Sequence, residues 1–387
     1  MGYLATTDYT QDKDFIDKWL YTMRTGELDL SWMNASTEKV KPRPQNPRRG
    51  LTYRDLDTGS YGFTGVPEKV RHNRSFAPRG AELPYGLPDL QPEVSRKSEV
   101  WAFNTESYYE EAVSRQWNAT TDIPWERLDG VELTEPIGKS LSQLMTFLTE
   151  VEMIATDTPA KWLPRLNPEF IEVKSFIATQ AADEARHMEV FRKRALTTGW
   201  GLMAASPMNE MALKHLRDAD SFSEMSVALH IVGEGNVLTL FRFSEYLSPT
   251  DVDKKIFRLV MQDEARHVGY GMQHFKYVLE HFPEKREILH KHLDEAENIS
   301  FAGAAATELT ESFIILAGGG LKKENIQKGI KITSQFQLKQ MEEHFERLEK
   351  CGMPERKNAD RSKLYRMLEM GRATAAQANL ANGVQAL

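Results

Sequence analysis

Two copies of one pentapeptide carry side chains suited to metal chemistry. The sequence Asp-Glu-Ala-Arg-His occupies residues 183–187 and recurs at residues 263–267. Each copy lies in a segment whose apolar residues recur with helical periodicity. Because residues three apart lie on nearly the same face of a helix, the glutamate and the histidine of each copy project together. A carboxylate beside an imidazole supplies half of the ligands of a transition-metal site.

Two further segments carry carboxylates that could complete such a site. Residues 138–158 precede the first copy and contain Glu150 and Glu152, and residues 223–246 precede the second copy and contain Glu234. Glu150 and Glu152 would lie about 200° apart on a helix, so only one of them can face the interior. The spacing from Glu152 to the first copy resembles that from Glu234 to the second, which favours Glu152. The six predicted metal ligands, which are also the predicted catalytic residues, are Glu152, Glu184, His187, Glu234, Glu264 and His267.

Both copies are flanked by apolar residues, which predicts that their charged side chains are buried. The flanking residues are Phe176, Ile177, Val190 and Phe191 in one segment and Phe257, Val260, Met261 and Val268 in the other. A single Glu-x-x-His is usually a solvated pair, but buried charges need partners, and two divalent ions would balance four glutamates. The mixed oxygen and nitrogen ligands suit iron or manganese. We therefore expect a dinuclear site with two iron ions, with manganese or one ion of each metal as the alternative.

The composition excludes several classes of protein. The chain of 387 residues has a net charge of −7, which argues against nucleic acid as a ligand. No run of 18 apolar residues is present, so we expect no membrane span. The start of the sequence lacks the apolar run of a secretory signal, and the single cysteine, Cys351, fits a reducing compartment. We therefore expect a cytoplasmic protein.

Periodicity and breaker residues predict an all-α protein in three parts. Residues 1–93 are rich in proline and glycine and read as an extended wrapping arm, residues 94–282 as the metal-binding four-helix bundle, and residues 283–387 as a C-terminal helical extension packed on the bundle. Gly233 and Gly235 flank Glu234, which indicates close packing, a local bulge or free space beside the site. The predicted helices cover about 11–24, 94–119, 136–158 with Pro159 ending it, 168–198, 208–217, 221–248, 249–281, 284–316, 321–350 and 360–380.

These motifs resemble those of the ferritin-like di-iron carboxylate superfamily, in the branch shared by ribonucleotide reductase small subunits and bacterial multicomponent monooxygenase hydroxylases. The resemblance covers roughly residues 100–282 and rests on the six predicted ligands. Ala155, three residues after Glu152, also resembles the first ligand helix of the hydroxylases. The sequence Gln116-Trp117, followed by Ile123-Pro124-Trp125, is similar to the approach to the bundle in the reductase branch.

The resemblance also implies roles for residues beside the ligands. Asp183 and Asp263 would accept hydrogen bonds from the imidazole N–H groups, and Arg186 and Arg266 would balance the aspartates. His230 lies one helical turn before Glu234. It would be either an additional ligand or a hydrogen-bonded histidine of the core.

Two positions depart from the patterns of these families. Reductase small subunits that store a radical usually carry a tyrosine four residues after the first ligand histidine, where this chain has Phe191. The hydroxylases often carry a threonine four residues after the third glutamate, where this chain has Leu238. Radical storage is therefore disfavoured, and the likeness to the hydroxylases is incomplete.

The expected function is that of an O2-activating non-heme di-iron monooxygenase acting on a small organic substrate. Electrons would come from a separate reductase or ferredoxin, docked near the basic stretch at residues 39–49. Three alternatives stay open: an acyl desaturase, an N-oxygenase, and an oxidase resembling a reductase small subunit. Ferritin-type iron storage is disfavoured because ferritins are much shorter. Assembly as a homodimer is also left open.

Overall fold

The computed structural model describes residues 7–34, 40–57, 65–303 and 306–381. Within these ranges the protein is all-α, with only isolated β-bridges outside the helices. Lys39, at the start of the basic stretch, lies outside the described residues. No helix in these ranges has an apolar stretch long enough to cross a membrane.

The helices are numbered here in chain order. They are α1 (Lys13–Thr25), α2 (Tyr53–Leu56), α3 (Lys97–Val100), α4 (Thr105–Ser114), α5 (Glu135–Ala160), α6 (Ile171–Thr197), α7 (Pro207–Arg217), α8 (Phe222–Ser226), α9 (Glu234–Leu247), α10 (Asp251–His281), α11 (Arg286–Gly303), α12 (Thr307–Gly318), α13 (Lys323–Lys350) and α14 (Lys363–Ala381). A π-helical stretch, Val227–Gly233, joins α8 to α9.

Helices α5, α6, α9 and α10 form the four-helix bundle, in which α5 packs along α6 and α9 along α10. Two apolar clusters fill it. One cluster contains Phe176 of α6 and Tyr270 of α10. The other contains Phe191 of α6 and Phe257 of α10. The two pentapeptides lie between these positions on both helices. The charged residues are therefore enclosed between two apolar cores.

The π-helical stretch is the local bulge that was one of the alternatives predicted from the glycines around Glu234. Close packing occurs at the same place, because a Cβ on Gly235 would lie 2.7 Å from the guanidinium of Arg347. A Cβ on Gly271 of α10 would lie 2.4 Å from the Cβ of His230. The irregular helix and the two glycines together bring α9, α10 and α13 close to one another.

Three predicted helix boundaries are wrong. Residues 94–119 form two short helices, α3 and α4, because Asn104 between them adopts a left-handed conformation with φ 61°. Residues 284–316 include α11, which ends at Gly303, and most of α12, which begins at Thr307 after Ala306, whose backbone is extended; α12 packs against α5 and α13. Helix α5 continues past Pro159 to Ala160.

The N-terminal segment is attached to α6 by buried ion pairs. Arg79 pairs with Glu172 of α6 and with Asp57, and Arg74 Nε lies 2.6 Å from Glu169. Breaking a buried pair by removing one partner typically costs about 3–5 kcal/mol. These contacts fix the segment along the outside of the bundle.

The C-terminal helices contribute to the interior of the bundle. Phe313 of α12 and Phe336 of α13 belong to the same apolar cluster as Phe191. Farther along α13, His344 Nε2 donates to Glu297 of α11 at 2.9 Å, and Arg356 donates to the other oxygen of Glu297 at 2.6 Å. Helices α11–α13 thus close one side of the bundle.

Candidate metal centre

The structure brings all six predicted ligands together in the centre of the bundle. Glu152 lies on α5, Glu184 and His187 on α6, Glu234 at the first turn of α9, and Glu264 and His267 on α10; all are buried. Glu150 points elsewhere, as the helical spacing predicted, and accepts a hydrogen bond from Asn209 at 3.1 Å. The ligand role of the six residues stays a prediction, but their convergence is a property of the structure.

The six residues form two overlapping groups, each with ligand atoms close enough to hold one ion. One group is Glu152, Glu184, His187 and Glu264; the other is Glu184, Glu234, Glu264 and His267. The two groups share the glutamates of the two pentapeptides. Each group adds its own histidine and one glutamate from a preceding helix.

The shared glutamates face both histidines. Glu184 places Oε2 at 3.0 Å from Nδ1 of His187 and Oε1 at 2.9 Å from Nδ1 of His267. Glu264 places Oε1 at 3.3 Å from Nδ1 of His187 and Oε2 at 3.6 Å from Nδ1 of His267. Each carboxylate therefore spans the distance between the two halves of the site.

The opposite nitrogen of each histidine faces the aspartate of the other pentapeptide. His187 Nε2 donates to Asp263 Oδ2 at 3.1 Å, and His267 Nε2 lies 3.4 Å from Asp183 Oδ2. Asp263 of α10 thus accepts a hydrogen bond from His187 of α6, whereas Asp183 of α6 lies near His267 Nε2 without hydrogen-bond geometry. A proton held on Nε2 leaves Nδ1 free to bind a metal.

Both arginines join the two aspartates. Arg186 pairs with Asp183 and lies 2.8 Å from Asp263, and Arg266 pairs with Asp263 and lies 3.0 Å from Asp183. Neither arginine forms a plain surface pair, since Arg266 is 3% and Arg186 10% exposed at the side chain. The arrangement neutralises both aspartates and ties α6 to α10.

Gln116 and Trp117 contact the aspartates of the site, although no motif in the sequence predicted this. Trp117 Nε1 donates to Asp263 Oδ2 at 2.7 Å, and its indole stacks against His187 with ring centroids 6.3 Å apart. Gln116 donates to Asp183 at 3.3 Å. The likeness of this dipeptide to the reductase branch was the only signal that pointed to it.

His230 does not belong to either group of candidate ligands, and both of its ring nitrogens have other partners. Gln180 Nε2 donates to Glu234 at 2.8 Å, so Gln180 Oε1 accepts from His230 Nε2 at 3.1 Å, and Ser226 donates to His230 Nδ1 at 2.9 Å. Burial lowers the pKa of His230 to about 3. In this structure His230 is a hydrogen-bonded histidine of the core that connects through Gln180 to Glu234, and its role beside a bound ion stays a prediction.

The charges within the site favour positive ions among the carboxylates. Burial, reinforced by the charge of Glu184, raises the pKa of Glu152 well above its usual value, and burial likewise raises the pKa of Glu234. Burial also opposes the charge of Glu184, but the adjacent His267 and His187 hold its pKa below the usual range. Four carboxylates this close carry their full charge together only when cations lie between them.

The unpartnered atoms of the site fit two metal ions. The buried atoms Glu152 Oε1, Glu184 Oε1, Glu234 Oε2, Glu264 Oε2 and His267 Nδ1 have no protein partner with hydrogen-bond geometry. Several neighbouring buried polar atoms rarely all lack a hydrogen-bond partner in a folded protein. Four carboxylates and two imidazoles, one Glu-x-x-His from each of two helices, form the donor set of the di-iron and di-manganese carboxylate bundles.

A cavity of about 230 Å³ borders the site on the side of Glu152, Glu234 and Glu264. Its walls come from α5, α7 and α9 and from α11–α13. The aspartates, the arginines and Trp117 lie on the side of the histidine Nε2 atoms. The site is thus closed by hydrogen bonds on one side and open to a cavity on the other.

Comparison with known proteins gives relatives in structure only. No protein-family model matches the sequence, and the comparison with curated proteins finds no match. An R2-like ligand-binding oxidase with an aerobically reconstituted metal cofactor after photoconversion is 17% identical, with a TM-score of 0.51 over 65% of this chain and 94% of that chain.

Two point mutants of R2-like ligand-binding oxidase are similar over the same fractions of the chains. One, with an aerobically reconstituted Mn/Fe cofactor, is 17% identical with a TM-score of 0.52. The other, with an aerobically reconstituted Fe/Fe cofactor, is 18% identical with a TM-score of 0.51. At such identities the likeness establishes the fold. The chain has the ferritin-like helical fold of the R2-like oxidases, as the resemblance in the sequence predicted.

Proposed function

We propose that this chain is an O2-dependent oxidoreductase with two iron ions, or one manganese and one iron ion, at the centre of its bundle. The observation that carries the proposal is the position of Glu184 and Glu264, each of which turns one oxygen toward His187 and the other toward His267. Carboxylates in this position can bridge two ions. The Mn/Fe and Fe/Fe cofactors of the similar structures support these metals.

In this proposal Glu152 and His187 hold one ion, Glu234 and His267 hold the other, and the two shared glutamates bind both. When bound, the ions supply electrons to O2 and the oxidising power that acts on the substrate. The protein's part is to fix the ligands and to exclude water. The aspartate behind each histidine keeps the proton on Nε2 and so orients Nδ1 toward the ion.

The finer proposal is a monooxygenase that receives electrons from a separate protein. Cys351 is the only cysteine, so this chain cannot ligate a cysteine-bound iron–sulfur cluster, and it has no glycine-rich dinucleotide motif before a helix. NADH with this chain alone should therefore give no turnover. A ferredoxin with its reductase should restore O2 consumption, and 18O2 should label the product.

The test uses protein loaded anaerobically with ferrous iron. Glu264→Ala and His187→Ala should abolish O2 consumption. Glu287→Ala should not, because Glu287 is exposed and pairs with Arg361 on the surface. Unchanged O2 uptake in both site variants would overturn the proposed centre. Repeated turnover with NADH and the purified chain alone would overturn the need for a separate donor, and an oxidised product without 18O would exclude oxygen insertion.

A further inference from the structure

The walls of the cavity beside the candidate metal centre are mostly apolar. They include Phe147 and Val151 of α5, Leu213 of α7, Leu240 of α9 and Phe313 of α12. Apart from the carboxylates of the centre, no lysine, arginine or aspartate and only one histidine is among the described residues that line it. An anionic or cationic group placed there would lose its hydration without gaining an opposite charge from the walls. The cavity therefore suits a neutral, largely apolar molecule.

Apart from the glutamates of the centre, one side chain among the described residues of the wall has a buried oxygen without a hydrogen-bond partner. Thr333 of α13 is 3% exposed, and its Oγ1 is buried without a hydrogen-bond partner. Threonine hydroxyls within helices usually bond to the carbonyl four residues earlier. Thr146, Thr149 and Thr156 of α5 do so, at 2.7–2.8 Å. Thr333, which lines the cavity, departs from this pattern.

An unpartnered buried hydroxyl is unfavourable, because the group has given up water without a replacement. A ligand atom that donates or accepts a hydrogen bond at Thr333 would remove this deficit. Gln337 and Gln340, on the same helix, also line the cavity. Polar side chains of other helices also line it, namely Asn209 and His215 of α7, Asn236 of α9, Ser300 of α11 and Thr310 of α12, but none of these five has a buried atom without a hydrogen-bond partner, as Thr333 does.

The volume limits the size of the ligand. A cavity of about 150 Å³ is known to hold benzene, so by the same packing the 230 Å³ here holds roughly nine to twelve non-hydrogen atoms. A long acyl chain exceeds this limit. A bicyclic aromatic or a branched hydrocarbon of similar size does not.

We propose that the cavity binds a neutral, mostly apolar organic molecule of this size, with one hydrogen-bonding group seated on the hydroxyl of Thr333. That the bound molecule is also the substrate rests on the proposed function, because the cavity places it beside Glu152, Glu234 and Glu264 of the candidate metal centre. The binding site itself rests only on the cavity and on Thr333.

The test is calorimetric titration of the full-length, metal-loaded protein with four probes. 2-Naphthol is neutral with one hydroxyl, naphthalene lacks the hydroxyl, 2-naphthoate is an anion of similar shape, and palmitate is too long. We expect 2-naphthol to bind most tightly and naphthalene more weakly. 2-Naphthoate should bind at least tenfold more weakly than 2-naphthol, and palmitate should not bind.

Two kinds of variant locate the probe. Thr333→Val should weaken 2-naphthol about tenfold, as the loss of one hydrogen bond predicts, and leave naphthalene unchanged; Thr333→Ser should restore the difference. Leu240→Trp should fill the cavity and abolish binding of both probes. If its melting temperature shows that Leu240→Trp is misfolded, Val151→Phe serves the same purpose on the opposite helix.

Several results would overturn the inference. These are tighter binding of palmitate or 2-naphthoate than of 2-naphthol, no binding of either naphthalene probe, or an equal effect of Thr333→Val on both. Metal content and O2 uptake are measured on the same samples. Two bound ions and O2 uptake without probe binding would refute this inference and leave the proposed function standing, whereas probe binding to a protein that takes up no metal would refute the proposed function alone.

Discussion

Trp117 Nε1 donates to Oδ2 of Asp263 at 2.7 Å, and the same oxygen accepts a hydrogen bond from His187 Nε2 at 3.1 Å. An indole outside the four-helix bundle thus shares an acceptor with a candidate ligand of α6. The aspartate lies on α10, so the contact joins three separate segments of the chain. The orientation of His187 depends on all three.

Trp117→Phe should therefore weaken metal binding at the His187 half of the site. Loss of a hydrogen bond to a buried carboxylate should lower the free energy of unfolding by about 1–3 kcal/mol. Loss of an outer partner of a ligand histidine typically lowers metal affinity about 10–100-fold. Competition with a chelator, followed by metal analysis, measures the affinity.

Trp125→Phe is the matched control, because the indole of Trp125 donates to the backbone carbonyl of Ala119 rather than to the site. It should reduce stability to a similar degree without changing metal affinity. Equal metal affinity in the two tryptophan variants would show that the contact of Trp117 with Asp263 has no part in metal binding.

Glu152→Ala should reduce the number of bound ions, and Glu150→Ala should not. Glu152 is 2% exposed and belongs to one of the two candidate groups, whereas Glu150 bonds to Asn209 on α7. The two variants remove the same side chain from the same helix, so they differ only in the face that is changed. Metal content by mass spectrometry decides between them, and loss of metal in Glu150→Ala alone would reverse the assignment.

His230 should make the metal-free protein sensitive to acid. Its pKa is about 3 in the folded protein against an ordinary value of 6.5, so the unfolded chain binds more protons between these values. Stability then falls as the pH drops through this window, by about 2 kcal/mol at pH 5 from this residue. His230→Gln should remove the part of the stability loss that His230 causes. Urea unfolding of the metal-free protein at pH 5 and pH 7.5 measures this.

The control for this experiment is His281→Gln, at the exposed end of α10. It should lose stability in acid to the same extent as the parent protein. If the free energy of unfolding of His230→Gln decreases from pH 7.5 to pH 5 by as much as that of the parent protein and of His281→Gln, His230 is not the group responsible for the acid sensitivity.

Oxidation of the ferrous protein by O2 should leave no persistent tyrosyl radical. Phe191 stands at the position where radical-storing reductase small subunits, which the sequence resembles, usually carry tyrosine, and it packs against Phe241 and Phe257 at centroid distances of 5.6 and 6.0 Å. EPR spectroscopy after exposure to O2 tests this. A stable organic radical in proportion to iron would contradict it, and Tyr270, buried beside His230, would then be the first residue to replace with phenylalanine.

The parts of the molecule that follow a local pattern were predictable from the sequence. The repeat of Glu-x-x-His, the spacing of Glu152 and Glu234 and the apolar flanks were sufficient for an all-α bundle with six converging side chains. Helical geometry predicted that only one of Glu150 and Glu152 faces the interior, and the spacing to the first pentapeptide favoured Glu152. The structure buries Glu152, while Glu150 bonds to Asn209 on α7.

The features that depend on contacts distant in sequence were not predictable. Trp117 and Asp263 are 146 positions apart, and no periodicity links them. The crossing of each aspartate to the histidine of the other helix depends on how α6 and α10 are placed side by side. The break between α11 and α12 was not predicted either, because Gly303, at which α11 ends, is a single glycine, and isolated glycines are tolerated inside helices.

Glu184 and Glu264 belong to both groups of candidate ligands and are positioned to bind two metal ions jointly. Metal analysis of the chain, reconstituted anaerobically with ferrous iron and freed of excess metal, measures how many ions it holds. We expect two ions per chain, with fewer in Glu184→Ala and Glu264→Ala and two in Glu287→Ala. One ion per chain, a single zinc ion, or no bound metal in the parent protein would contradict it.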